Sequence, residues 1–177
     1  MSARRFGLRG RRFTVLGLLL PAVLLSALGA CVPVPDSEVP EATPVDWNAG
    51  EITWRDYFEG LKQARADHKP VVLIFYTDWC PHCHNYSREF HDPEVVQLAR
   101  QFVMIRVERD GNREISARHA VDGDYVPRTF FLGPDAELLP GFETEAPRYR
   151  YFLDEFSPEP LRTRMREVSR RTLSSAR

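Results

Sequence analysis

The chain has 177 residues, 43% hydrophobic and 28% charged, a globular composition with enough length for one domain with its own core. Nineteen of the 24 basic residues and all 25 acidic ones follow Ala30, so that part carries a formal charge of −6. An excess of acid gives no footprint for nucleic-acid binding.

Residues 1–30 read as a lipoprotein-type signal peptide. Arg4, Arg5, Arg9, Arg11 and Arg12 precede 18 uncharged residues from Phe13 to Ala30, the basic-then-apolar layout of a targeting segment. The run ends in Leu28-Gly29-Ala30-Cys31, which resembles the lipobox at which bacterial lipoprotein signals are cleaved. That resemblance implies an acylated Cys31 as the first residue of the mature chain, and several acyl chains anchor firmly. Two other readings remain: a retained membrane anchor, for which 18 residues are just long enough, and ordinary cleavage that leaves Cys31 a free thiol. Residues 31–50 then hold the lipidated Cys and a tether rich in Pro33, Pro35, Pro40 and Pro44. Its stretch from Val32 to Pro44 would reach ~40 Å at about 3.1 Å per residue.

The folded domain is expected over residues 51–172, with 173–177 as a tail. Trp54, Phe58 and Leu61, with Ala64 or Arg65 next, fall at helical spacing and predict an amphipathic helix with its aromatics in the core, ending near His68-Lys69-Pro70. Val71 to Tyr76 is a central strand, and a helix follows from Cys80 to about His91, with Tyr86 and Phe90 on its buried face. Asp92 as cap and Pro93 at the first position open a further helix to Gln101. Phe102 to Val107 is a second strand, followed by a polar segment around Asn112 to His119. Arg128 to Leu132 is a third strand, Gly133-Pro134-Asp135-Ala136 a turn, and Glu137 to Gly141 a fourth strand. Helical material closes the chain over Pro147 to Phe156 and Glu159 to about Leu173. The arginines of the last segment alternate with Glu159 and Glu167 as on a solvated helix face. His68 and His119 read as surface or loop residues.

Trp79-Cys80-Pro81-His82-Cys83 directly follows the central strand. A buried strand would thus deliver two sulfurs to the first turn of a helix, where backbone N–H groups are unpaired. A free cysteine of pKa about 8.5 is only a few per cent thiolate at neutral pH. The positive end of a helix, and a hydrogen bond or charge from His82, can depress that value. Cys80 is the expected exposed attacking sulfur, Cys83 the resolving thiol one turn further in, and Trp79 the residue that flanks and shields them.

With its Trp-Cys-x-x-Cys and its Val126-Pro127 before the third strand, the element order resembles the thioredoxin fold, an α/β fold with a central mixed β-sheet flanked by helices. More narrowly, Lys69-Pro70, Asp78-Trp79-Cys80, Phe102-Val103-Met104, Gly123-Asp124-Tyr125-Val126-Pro127-Arg128 and Tyr149-Arg150-Tyr151-Phe152 are similar to the anterior-gradient and endoplasmic-reticulum thioredoxin-domain subfamily. The Cys-Pro-His-Cys itself resembles that of the bacterial periplasmic disulfide-introducing oxidases. The resemblance implies a cis-proline at Pro127 facing the sulfurs, with Val126 offering backbone groups to a client. Trp79, Pro81, Val126 and Pro127 are accordingly the expected client-contacting residues. Thioredoxins that the domain resembles place a buried Asp where this chain has Ile74, which weakens a reductase reading more than an oxidase one.

These readings imply a membrane-tethered thiol–disulfide oxidoreductase of the bacterial envelope, leaning to oxidation, with catalytic Cys80, Cys83 and His82. Its expected partners are cysteine-containing envelope proteins, a redox partner that recycles the pair, and the membrane. Val32 after Cys31 favours the outer membrane. Beyond the Cys80–Cys83 disulfide no cofactor and no metal are expected. A purely structural disulfide is a poor rival, because closing so short a loop removes only about 2 kcal/mol of chain entropy. Three further readings compete with catalysis: a client-binding module or chaperone in which the thiols matter little, c-type haem attachment at Cys80-Pro81-His82-Cys83-His84, and zinc held by Cys80, Cys83, His84 and His91.

Overall fold

A computed structural model describes residues 43–175. The expected signal peptide, Cys31 and most of the tether lie outside the described residues, as do the last two residues of the tail. Four strands form one mixed sheet: β1 (Trp54–Arg55), β2 (Val71–Tyr76), β3 (Val103–Glu108) and β4 (Arg128–Leu132), in the order β1-β3-β2-β4. β2 runs parallel to β3, from Val71 opposite Val103 to Tyr76 opposite Glu108, and antiparallel to β4, from Val71 opposite Leu132 to Phe75 opposite Arg128. Every residue of β2 except Tyr76 is buried. Both faces are covered, which is why the strand reads as an unbroken apolar run.

Alternation along the strands divides the core in two. Val72, Ile74, Met104 and Phe131 face α2 (Pro81–Ser87), α3 (Pro93–Ala99) and α5 (Glu159–Ser175), together with Cys80, Cys83, Tyr86 and Phe90. Val71, Leu73, Phe75, Ile105 and Phe130 form the other face with α1 (Tyr57–Asp67), and Ile115 of α4 (Arg113–Arg118) packs there too. The expected helix after Cys80 is α2 running on into a 3₁₀ turn, Arg88–His91. As predicted, Asp92 caps α3, its carboxylate accepting from the N–H groups of Glu94 and Val95 at 3.0 and 3.1 Å.

Several expectations are corrected. α1 begins two residues after Arg55, capped by Asp56, whose side chain accepts from Glu59 N–H at 3.0 Å. Its inner face is Gly60 and Ala64, flanked by Tyr57 and Leu61. Phe58 is 64% exposed rather than core, and Trp54 lies in β1 instead of the helix. Close approach explains the choice of residues, since a Cβ on Gly60 would stand 2.5 Å from the side chain of Ile105 on β3. The predicted fourth strand over Glu137 to Gly141 is one bridge, Leu132 to Leu138. Ala136 and Gly141 at positive φ bend the chain on either side, and Pro140 has no N–H to give a ladder.

Residues 147–156 are not helical. Tyr149 has a left-handed φ of 58°, and the Tyr151 carbonyl accepts from Thr129 N–H at 2.8 Å, so the segment covers the free edge of β4. The polar segment before His119 is the short helix α4. His119 is half-buried against Tyr57, Phe75 and Phe130 rather than a surface residue. The core also reaches back before residue 51, because Val45 and Trp47 are buried in it.

Candidate active site

Cys80 is the N-cap of α2, with extended backbone (φ −85°, ψ 113°), and its carbonyl accepts from Cys83 N–H at 3.0 Å and His84 N–H at 3.2 Å. Pro81 stands at the first helical position, exposed, where a missing N–H costs nothing. The Cys80 side chain makes no capping bond to the helix. Its thiol points across to the next chain segment and donates to the Val126 carbonyl at 3.7 Å. The Val126–Pro127 peptide bond is cis. Val126 and Pro127 are therefore brought to the thiol, while Cys83 lies fully buried one turn further along.

Cys80 and Cys83 are both free thiols. Burial, and secondarily the hydrogen bond with Cys80, push the Cys83 thiol far above its ordinary range. Cys80 was expected to be exposed, but only 3% of it is open to solvent, because the Val126 carbonyl covers the sulfur from one side. Ile74 is buried in the same cluster as both cysteines. Tyr86 backs the site from α2 and accepts a hydrogen bond from the Thr129 hydroxyl at 2.9 Å, tying the helix to β4 just past Pro127.

Trp79 is 57% exposed beside the pair. It is held by two residues that sequence reading did not single out. Its indole N–H donates to Asp110 Oδ2 at 2.8 Å, and Arg109 lies over its ring at 5.6 Å. The bond from Trp79, more than the neighbouring arginines, keeps the Asp110 carboxyl below the usual carboxylate range. Arg109 also donates to the Asp124 carbonyl at 3.0 Å, and Asp124 in turn accepts from the buried Arg128 at 2.8 Å. A charged pair at the carboxyl end of a parallel strand was a signal available in the sequence, since sites form there.

His82 does not stand alone. Its Nδ1 lies 2.8 and 3.0 Å from the two carboxylate oxygens of Glu155, a residue 73 positions later that no local pattern could have revealed. His84 and His91, the other candidate metal or haem ligands, have different partners. His84 Nε2 donates to the Asp78 carbonyl at 2.7 Å, and His91 pairs with Asp46 at 3.2 Å.

A strand, two thiols on the following helix and a cis-proline loop facing them define a dithiol site on a thioredoxin fold. A family model described as thioredoxin-like matches residues 53–134. Mouse anterior gradient protein 3 is 30% identical over 125 residues, 68% of this chain and 73% of that protein. Human anterior gradient protein 2 homologue is 30% identical over 99 residues, 55% of this chain and 54% of its own length, so the chain spans about half of that relative. The solution structure of a thioredoxin from Thermus thermophilus matches 72% of this chain and 94% of its own, with a TM-score of 0.55 at 23% identity, a likeness of fold. The chain belongs to the thioredoxin-like family, in which it is similar to the anterior gradient proteins.

Proposed function

We propose that the chain is a thiol–disulfide oxidoreductase that acts on protein cysteines through a mixed disulfide on Cys80. The observation that carries this reading is the pairing of an N-cap thiol facing the Val126 carbonyl with a second, fully buried thiol one turn away. In the oxidising direction a client thiol gives up its proton and its sulfur attacks Cys80 Sγ of the Cys80–Cys83 disulfide. The client S–Cys80 bond forms, the Cys80–Cys83 bond breaks, and its electron pair leaves on Cys83. Burial keeps Cys83 protonated once released, so the departing sulfur takes up a proton. A second client thiolate then attacks the client sulfur of the mixed disulfide, the client disulfide forms, and Cys80 leaves as thiolate. Two electrons have then passed from client to enzyme, with one proton on Cys83 and the other released to water or taken up by Cys80, and a disulfide-bearing redox partner restores the pair.

His82 and the apolar Ile74 favour oxidation over reduction. The direction is measurable: a reduction potential near about −120 mV is expected for an oxidase, whereas one near about −270 mV would make the protein a reductase. Envelope proteins with cysteines would be the clients. The domain would stand on the periplasmic face, anchored through acylated Cys31, with Val32 favouring the outer membrane. A Cys31→Ser variant that still partitions into detergent like the parent would remove the anchor.

Cys83→Ala should leave client proteins covalently attached to Cys80, visible as dithiothreitol-sensitive adducts on non-reducing gels. Absence of adducts, with full cellular function retained by the Cys80→Ser, Cys83→Ser double variant, would indicate a client-binding module instead.

A further inference from the structure

Glu155 is a buried carboxylate in an irregular segment, only 7% exposed. Such a group is stable only if it is paired. Among the described residues its side-chain partners are both on the active-site helix: His82 Nδ1, and Asn85 Nδ2 at 3.4 Å. The segment that carries it is fixed to the core by buried Leu153, and the Phe152 ring meets the His82 ring edge-on at 5.8 Å. The imidazole is thereby located from two sides, while 61% of its side chain is open to solvent.

An ionised carboxylate can only accept, so the His82 hydrogen that meets it sits on Nδ1. Nε2 has no hydrogen-bond partner among the described residues. We propose that Glu155 is a positioning residue for disulfide exchange: it fixes the Nδ1–H tautomer of His82 and so presents Nε2 to the client as the nitrogen that takes up its thiol proton. This rests on the oxidoreductase reading and deepens it. In the first step the client S–H bond breaks, its proton goes to Nε2, and the sulfur's electron pair forms the bond to Cys80. The electrons of the Cys80–Cys83 bond leave on Cys83, and imidazolium or water returns a proton to that sulfur. The arrangement follows nucleophile, base and orienter logic, with the nucleophile supplied by the client and the base fixed by a carboxylate that never meets it.

Two measurements on the full chain test this. Nitrogen-15 correlation spectra of the His82 ring at about pH 8 read the tautomer directly, and that tautomer is set by the partner of the other nitrogen. Wild type and Glu155→Gln should show Nδ1–H, since the amide oxygen still accepts, whereas Glu155→Ala should revert to the Nε2–H form that free histidine prefers. Single-turnover disulfide transfer to a dithiol peptide should fall about tenfold in Glu155→Ala, part of what a lost general base costs, and recover in Glu155→Gln. The His82→Ala, Glu155→Ala pair should be no slower than His82→Ala alone. An unchanged tautomer in Glu155→Ala, or additive losses in the pair, would overturn the role of Glu155 and leave a mere clasp. A wild-type protein with no transfer at all would instead sink the oxidoreductase reading, whatever the tautomer.

Discussion

Cys80 and Cys83 lie one helical turn apart and meet different conditions. Cys83 is fully enclosed and held protonated by burial, whereas the Cys80 sulfur faces a carbonyl at the mouth of the site. Iodoacetamide at neutral pH is therefore expected to modify Cys80 first, as located by tandem mass spectrometry; initial alkylation at Cys83 would contradict this. His119 offers a pH test away from the thiols. Burial, helped by Arg128 and Arg118, brings its pKa down to about 4 from 6.5. The unfolded chain binds a proton near 6.5 that the folded chain refuses until about 4, so this contribution to stability is complete above pH 6.5 and is lost as pH falls toward 4. Urea midpoints should drop between neutral pH and pH about 5, and drop less in His119→Gln. Arg128 is fully buried, donating to Asp124, Ser116 and the carbonyls of His119 and Gly123. Arg128→Met should cost about 1–3 kcal/mol in denaturant melts because it leaves the buried Ser116 hydroxyl and the loop carbonyls of His119 and Gly123 without their donor, with partial recovery in Arg128→Lys, whose ammonium cannot reproduce the fork. An unchanged melt would mean that the loop before Pro127 needs no such brace.

Among the elements, α1 and α3 show where local pattern was sufficient and where it was not. The Asp92-Pro93 start of α3 was legible because capping is a local bond between neighbours in sequence. Asp92 also pairs with Arg162 of α5, which holds its carboxyl below the usual range. Asp92→Ala is expected to cost about 1–2 kcal/mol and Asp92→Asn less, since the amide keeps the cap; equal losses would assign the effect to the ion pair. For α1 the aromatic spacing misled, because the contact with β3 needs small residues, not large ones. Gly60→Ala should destabilise by about 1–2 kcal/mol despite the better helix propensity of alanine, since overpacking against buried Ile105 outweighs it. A stabilised variant in thermal melts would show that α1 can shift away from the sheet. The edge beyond β4 departs from the local pattern for backbone reasons: Glu137 to Gly141 pairs at Gly133 with Glu137 and at Phe131 with Leu139 before Pro140 and Gly141 turn the chain away, and in Pro147 to Phe156 the Tyr151 carbonyl bonds Thr129 of β4 instead of a helix of its own.

At the scale of the whole molecule, Trp47 joins a segment assigned to the tether to the back of the active-site helix. Its ring meets Trp54, Tyr76, Tyr86 and Phe90 edge-on at 5.2 to 6.3 Å. Trp47→Ala is expected to cost about 3–5 kcal/mol in denaturant melts, and a loss below about 1 kcal/mol would place the boundary back at residue 51. The sequence by itself determined the central strand, the dithiol turn, the cap of α3 and the proline before β4, because each is a run or a spacing between near neighbours. Only tertiary structure decided that Glu155 meets His82, that Arg109 and Asp110 hold Trp79, that Arg128 braces the loop facing the thiols, and that Trp47 belongs to the core. Those are meetings of single polar or aromatic residues distant along the chain, and no periodicity encodes which of many such residues a folded sheet will bring within hydrogen-bond reach.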